Sequence, residues 1–180
     1  MTWLKPVARV VLVAASIGGM ASVYAAAGAW LGRYPKMADH PGLFLLFFGV
    51  FVVWFPTVLI LRQVTRGVFS RDSWKVALRH ASPLTRQLVY LAWVYCGVVW
   101  AVSMISSVVM KTRTLANEGV YFTAFMLVFY MTSVGVTASV TAMTPEQLDP
   151  RCANGHQVSA DAKFCQTCGA RVVSADTDGA

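Results

Sequence analysis

Charged residues are scarce in this 180-residue sequence: they make up 13% of the chain, against 57% for hydrophobic residues. Four long stretches contain no Asp, Glu, Lys, Arg or His, namely residues 10–31, 42–61, 88–110 and 120–143. Each is close to the roughly 20 apolar residues that an α-helix needs to cross about 30 Å of hydrocarbon. This composition excludes an ordinary soluble domain. It predicts an all-α membrane protein whose residues 1–143 form a bundle of four transmembrane helices.

The missing charges also bear on function. Ionisable side chains at membrane depth mark most proton and ion pathways, so their absence disfavours proton-coupled transport. Hydroxyl groups in the fourth stretch could line a pore, but they can also bond to carbonyls of their own helix. The sequence also lacks HExxH, Gly-x-Ser-x-Gly and phosphate-binding glycine motifs. We therefore do not expect an enzyme.

The first apolar stretch has two interpretations. Lys5 and Arg9 precede it, and the alanines at 25–27 resemble a cleavage site, as in a secretory signal peptide. However, the stretch is longer than the roughly 7 to 15 residues of a signal core. It also ends at Trp30 and Tyr34, aromatic residues typical of a membrane interface. We expect a retained helix; cleavage would leave three spans.

Basic residues are distributed unequally between the two sides that four spans define. Eleven Lys and Arg residues fall in the N-terminal segment, the loop between spans two and three, and the C-terminal tail, whereas four fall in the other two loops. Because basic residues concentrate in cytoplasmic segments, the asymmetry predicts that both termini are cytoplasmic.

The net charge of +7 belongs to the segments that flank the membrane, because from residue 144 onward there are three basic and five acidic residues. Anionic lipid headgroups are the expected partners, at about 1 kcal/mol for each nearby Lys or Arg. Nucleic acid is not expected, since the tail lacks a basic stripe and Phe164 is its only aromatic residue suited to stacking.

The loop between spans two and three contains an amphipathic pattern from Ser70, a suitable N-cap, to Ser82, just before Pro83. Its apolar and basic positions recur at helical spacing. The apolar positions are Trp74, Ala77, Leu78 and Ala81, and the basic ones are Arg71, Lys75 and Arg79. This pattern predicts a short cytoplasmic interfacial helix with Arg71, Trp74, Lys75 and Arg79 at the membrane surface. It would act either as an anchored connector or in recognition.

Small residues recur every four positions in two of the spans. They are Ala14, Gly18, Ser22 and Ala26 in the first span, and Gly135 and Ser139 in the fourth. Such rows let helix backbones approach closely. They predict either packing within one bundle or a homo-oligomer interface.

Three of the four cysteines lie in the polar tail, in the pattern Cys152-x3-His156-x8-Cys165-x2-Cys168. Three thiolates and one imidazole can complete a closed tetrahedral site for structural Zn²⁺. A redox Cys-x-x-Cys pair would instead belong to a βαβ pattern, which the tail lacks. Because thiols remain free for metal only where disulfides do not form, this site also favours a cytoplasmic tail.

The spacing predicts a small C-terminal zinc ribbon over residues 151–172. A linker at 144–150, with two prolines, precedes it, and a disordered tail at 173–180 follows. Gly155 and Gly169 would permit the two turns of the ribbon, and we expect Phe164 to pack on its small sheet.

The segment from Arg151 to Ala170 resembles the zinc-ribbon module found at the ends of bacterial membrane proteins. The sequences His40-Pro41-Gly42, Trp74-Lys75 and Leu78-Arg79 are also similar to a group of uncharacterised bacterial integral membrane proteins that carry this ribbon. The resemblance implies a fold and a metal but no activity. One departure is that the commonest ribbon has Cys-x-x-Cys-Gly in its first turn, whereas here His156 follows a longer turn.

Two functions remain open. In the first, the chain is a non-enzymatic, multi-pass protein of the bacterial inner membrane, and its ribbon docks a cytoplasmic protein. In the alternative, the bundle is a channel or transporter component and the ribbon caps its cytoplasmic face.

Overall fold

Four long helices dominate the computed structural model, which describes residues 3–33, 41–65, 77–109, 116–148, 151–156, 158 and 164–171. The helices are α1 (Leu4–Trp30), α2 (Pro41–Val64), α3 (Pro83–Val109) and α4 (Ala116–Ala142), followed by one turn, α5 (Pro145–Leu148). The four long helices have the length and composition needed to cross a membrane. They indicate a multi-pass membrane protein, and the described ranges contain no β-strand longer than an isolated bridge.

The four helices include nearly all of the predicted spans and extend beyond the charge-free stretches. The starts of α1 and α3 extend furthest, since α1 begins at Leu4 rather than Val10 and α3 begins at Pro83 rather than Leu88. The hydroxyl of Ser82 accepts the N–H of Thr85 at 3.1 Å and so caps the helix. Proline fits the first helical position, where an N–H has no intrahelical partner. Pro83, which the sequence suggests as a stop, is therefore the start of the next span.

Helix α4 is the centre of the bundle. It packs against α1, α2 and α3. In the most apolar 18-residue segment of α4, 61% of the residues are buried, against 17% in the corresponding segment of α3. Helix α3 packs mainly on α4 and leaves large apolar side chains exposed, among them Leu91, Val94 and Val98. Such a surface suits hydrocarbon and would be costly in water.

The buried apolar side chains form three clusters along the bundle. Helix α1 contributes to all of them: Leu4 and Ala8 to the first, Val11 and Ala15 to the second, and Ala29 to the third. The first, here the basal cluster, consists of Leu4, Ala8, Ile60, Leu61, Ala77, Val136, Val140 and Met143. Cleavage after the alanines at 25–27 would remove the α1 side chains of the first two clusters and leave Ala29 of the third; retention of α1 stays a prediction.

Most of the predicted small-residue rows lie inside the bundle. Gly18, Ser22 and Ala26 are buried on α1, as are Gly135 and Ser139 on α4, whereas Ala14 is exposed. A Cβ on Gly135 would lie 2.7 Å from Leu78 Cδ2 and 2.8 Å from Val89 Cγ2. The buried members of these rows therefore pack within one chain, because glycine permits close approach, while a homo-oligomer interface stays a prediction.

Most buried hydroxyl groups of the spans already have partners. Four donate to the carbonyl four residues earlier: Ser22 to Gly18, Thr57 to Val53 and Thr123 to Gly119, each at 2.8 Å, and Thr137 to Ser133 at 2.6 Å. Thr132 accepts a hydrogen bond from Trp93 Nε1 at 3.2 Å. Among the described residues, only Ser133 has a buried side-chain oxygen without a partner. The hydroxyl groups are thus mostly engaged in the way typical of Ser and Thr within helices.

The end of the loop between α2 and α3 packs on protein. Ala77, Leu78 and Ala81 are buried, and Ala77 belongs to the basal cluster. The N–H of His80 donates to the Ser139 hydroxyl at 3.1 Å. The part of the predicted apolar face that the structure describes therefore contacts the bundle. Residues 70–76 of the predicted interfacial helix lie outside the described residues.

The predicted linker begins with a capped turn. The Thr144 hydroxyl accepts the N–H of Gln147 at 3.3 Å, while Gln147 Oε1 accepts the N–H of Thr144 at 2.8 Å. This reciprocal pair is a capping box. Leu148, at the end of α5, packs against the basal cluster. The chain is thus anchored to the bundle four residues before Cys152.

Candidate metal centre

The first turn of the ribbon segment brings Cys152 and His156 together. The N–H of Cys152 donates to the His156 carbonyl at 2.9 Å, and the N–H of Gly155 donates to the Cys152 carbonyl at 2.8 Å. Gly155 has a φ of 77°, a left-handed conformation that other residues rarely adopt. This glycine closes the turn and directs His156 back toward Cys152.

The second turn positions Cys165 and Cys168. The N–H of Cys165 donates to the Ala170 carbonyl and the N–H of Gly169 donates to the Cys165 carbonyl, both at 2.8 Å. Gly169 has a φ of 69°, again left-handed. An antiparallel bridge between Phe164 and Arg171 joins the two ends of the turn.

The two turns differ in where the glycine lies relative to the second ligand. Gly155 precedes His156, whereas Gly169 follows Cys168. The first turn has three residues between its ligands, one more than a Cys-x-x-Cys-Gly turn, and the left-handed conformation of Gly155 accommodates this residue. His156, the ligand that departs from the usual pattern, still reaches the other three.

The structure brings all four predicted ligands together. The sulfur atoms of Cys152, Cys165 and Cys168 and one ring nitrogen of His156 lie within 4.8 Å of one another, close enough to bind one metal ion. Cys152 Sγ is 3.7 Å from Cys168 Sγ and 3.6 Å from His156 Nδ1, and Cys165 Sγ is 3.9 Å from the same nitrogen. Cys152 and Cys165 are buried, while His156 and Cys168 are exposed.

Backbone N–H groups surround the sulfur atoms and support their charged form. The N–H of Ala170 and the side chain of Asn154 donate to Cys168 and lower the pKa of its thiol to about 7. The N–H groups of Cys168 and Thr167 lower the pKa of Cys165. Burial raises the pKa of Cys152, against the effect of N–H groups from Asn154 and His156. Such outer contacts orient and stabilise metal-binding thiolates.

Three residues around the site differ from, or are missing from, the sequence-based prediction. Phe164, which we expected to pack on the ribbon's sheet, is 58% exposed, so that expectation is wrong. Val158 instead fills the small interior between Cys152 and Cys165. Asn154, whose side chain links the first turn to Cys168, was not predicted. No local signal in the sequence shows that Val158 rather than Phe164 is buried. By contrast, the Thr-x-x-Gln pattern at 144–147 is a sequence signal for the capped turn that precedes the site.

The predicted membrane-surface residues are only partly described. Arg79 is exposed on the segment whose apolar residues pack on the bundle. Arg71, Trp74 and Lys75 lie outside the described residues, so the role of all four stays a prediction.

A comparison of the chain with protein-family models, with curated proteins and with solved structures found no match.

Proposed function

We propose that this chain is a non-enzymatic protein of the bacterial inner membrane that holds a structural zinc ribbon on the cytoplasmic side for docking another protein. The observation that carries the proposal is the convergence of four metal-ligating atoms in a segment anchored beside a membrane-type bundle.

The donor set and its geometry favour zinc. Zn–S bonds of about 2.3 Å and Zn–N bonds of about 2.0–2.1 Å would place two sulfurs about 3.8 Å apart, and a sulfur and a nitrogen about 3.6 Å apart, around a tetrahedral ion. The Cys152–Cys168 and Cys152–His156 separations of 3.7 and 3.6 Å are close to these values, Cys165–His156 is 3.9 Å, and the four ligand atoms all lie within 4.8 Å of one another. Three thiolates and an imidazole also suit Zn²⁺ better than the hard cations Mg²⁺ and Ca²⁺. Four protein ligands leave no open position, which is typical of structural rather than catalytic zinc.

The ribbon presents an aromatic side chain that its own fold does not bury. Phe164 is next to the ligand Cys165, and it is 58% exposed although it is the ribbon's only large apolar side chain. Exposed aromatic residues on a rigid support are frequent anchors of protein interfaces. This position supports docking, with the metal holding the turn and Phe164 contacting the partner.

Orientation rests on two arguments that use different residues. The excess of Lys and Arg in the terminal segments and in the loop between α2 and α3 favours the cytoplasm for both ends. Three thiols that must stay reduced favour the same compartment for the tail. In this orientation Arg71, Lys75 and Arg79 would meet anionic headgroups, with Trp74 at the same depth.

The alternative of a channel or transporter component receives less support. Apart from Ser133, the buried hydroxyl groups described above are engaged with their own helix, with Trp93 or with the N–H of His80, and the predicted spans contain no Asp, Glu, Lys, Arg or His. Conductance of the purified chain in liposomes would favour this alternative over docking.

The docking proposal is tested with Phe164→Ala, Cys165→Ser and a control, Gln166→Ala, whose side chain is exposed in the same turn. Each chain is purified in detergent after crosslinking in cells, and its zinc content and co-eluting proteins are measured. We expect one partner to be lost from Cys165→Ser and from Phe164→Ala, although the latter keeps its zinc. A partner equally retained by Phe164→Ala and the control would contradict the assignment of Phe164.

A further inference from the structure

Helices α1 and α2, together with Tyr130 of α4, line a groove of about 800 Å³. Its lining is apolar except for two tyrosines, and it includes Gly18, Gly49, Tyr24 and Tyr130. Tyr130 closes the floor and is 3% exposed. Its hydroxyl donates to the Leu46 carbonyl at 2.8 Å, so the polar atom of the floor is already satisfied. The floor therefore favours an apolar occupant.

The rim of the groove is open to the surroundings of the bundle. Ile17, Tyr24, Leu45 and Val52 line it and are 60%, 69%, 72% and 71% exposed. Since these residues lie in the charge-free stretches of two helices long and apolar enough to cross a membrane, the opening lies within the hydrocarbon layer if the chain is inserted as proposed. The groove is thus open to lipid chains along one side.

The length of the groove matches one leaflet. On α1 its lining extends from Ala14 to Ala25, a rise of about 16 Å, and on α2 from Pro41 to Val53, about 18 Å at 1.5 Å per residue. Half of a hydrocarbon core of about 30 Å is about 15 Å. On α2 the lining starts at Pro41, the first residue of the helix, which lies at the level of one membrane surface; on α1 it ends at Ala25, about 8 Å before Trp30.

From the apolar lining, the lateral opening and this length, we infer that the groove between α1 and α2 is a binding site for one acyl chain of a membrane phospholipid. The acyl chain lies along the bilayer normal in the leaflet next to the α1–α2 connection, against the ring of Tyr130. This site is separate from the metal centre and depends only on the proposed membrane location.

The test uses full-length protein in vesicles of phosphatidylethanolamine and phosphatidylglycerol, with a small fraction of phosphatidylglycerol that carries a diazirine in mid-chain. After illumination, mass spectrometry locates the adducts. We expect several-fold more adducts per residue in the groove than on the exposed face of α3, and labelling of the groove that saturates as the photolipid fraction rises. Ala21→Phe places a ring in the groove and should reduce its labelling several-fold. Ala27→Phe, the same change at an exposed position of α1 outside the groove, should leave it unchanged.

Three outcomes would overturn the inference. Equal labelling of the groove and of α3 would indicate ordinary lipid contact only. Unchanged groove labelling in Ala21→Phe would place the acyl chain elsewhere. Chain-to-chain adducts at groove residues in place of lipid adducts would show that a second copy occupies it. Failure of the chain to float with the vesicles would contradict the proposed membrane location itself, which separates that failure from the other three.

Discussion

The aromatic ring of Tyr130 on α4 lies directly against Gly18 on α1, in the space that any side chain at position 18 would need. On the opposite side the Tyr130 hydroxyl occupies the space of a side chain at Gly49 on α2 and donates to the Leu46 carbonyl at 2.8 Å. One tyrosine of the central helix thus fits between glycines of two neighbouring helices, and it sets how closely the three helices pack.

Gly18→Ala should therefore destabilise the bundle. Its Cβ would overlap with the Tyr130 ring, and overpacking of this kind costs about 1–3 kcal/mol. The control is Gly97→Ala on α3, where a Cβ would meet nothing within 4 Å. Thermal unfolding in detergent should show a lower Tm for Gly18→Ala and no decrease for Gly97→Ala. If the overlap is the cause, the effect of Gly18→Ala should be much smaller in a Tyr130→Ala background.

Zinc should be present at close to one ion per chain. Elemental analysis of purified protein should show this ratio. Cys165→Ser should lose most of the metal, whereas the control Cys96→Ser, in the middle of α3 and outside the predicted ligand set, should keep it. Unchanged zinc in Cys165→Ser would exclude the proposed site.

Chelation should unfold the ribbon and leave the bundle intact. Apparent zinc-binding free energies in small zinc-finger peptides are about 10 to 16 kcal/mol, enough to dominate the stability of so small a segment. After addition of a chelator, trypsin should cleave rapidly at Arg151 and Arg171 while the helical circular dichroism signal is retained. A parallel loss of the helical signal would contradict independent folding.

Acidification should release the metal, and Asn154→Ala should release it at a higher pH. Hydrogen bonds from the Ala170 N–H and from Asn154 hold the pKa of Cys168 at about 7, below its ordinary value, so they favour the thiolate over the protonated thiol. Without the Asn154 side chain that pKa rises, and protons compete with zinc at higher pH. A chromogenic zinc indicator, read as pH is lowered, measures the midpoint. Removal of such outer contacts typically weakens binding about 10–100-fold. An unchanged midpoint would show that Asn154 contributes nothing to the site.

Removing residues 151–180 should leave the bundle inserted and folded, whereas removing residues 144–180 should lower its Tm. The second truncation also deletes Leu148, which packs against the basal cluster, and the capping box that positions it. Loss of a partly buried leucine contact removes apolar burial worth on the order of 1 kcal/mol. Both truncations are compared with the full chain by size-exclusion chromatography and thermal unfolding. Aggregation of the shorter truncation, 151–180, would show that the ribbon is part of the bundle's structure.

Single cysteines at positions 38 and 70, in a background lacking the native four, should report the orientation. An impermeant thiol reagent on intact cells should label position 38 and not position 70, because the positive-inside asymmetry places the α1–α2 connection outside. The reverse pattern would overturn the proposed orientation.

The metal ligands were predictable because their chemistry is written in residue type and spacing. Cys152, His156, Cys165 and Cys168 lie on two short turns, each closed by a glycine, so local backbone geometry is sufficient to bring each pair together. The packing around them was not predictable. Whether Phe164 or Val158 fills the interior depends on how the two turns face each other, and the structure buries Val158 and exposes Phe164.

The sequence by itself determined the number and approximate position of the four long helices, although not their ends, since a charge-free stretch of about 20 residues in hydrocarbon must satisfy its backbone as a helix. Only the tertiary structure decided which face of each helix is buried. In lipid both faces of a helix are apolar, so hydrophobic periodicity carries little information about the interior. The small-residue row shows the limit: Gly18 and Ser22 pack in the core, whereas Ala14 from the same row is exposed and lines the groove. Gly18 is buried against the ring of Tyr130, which belongs to a helix more than 100 residues later in the chain.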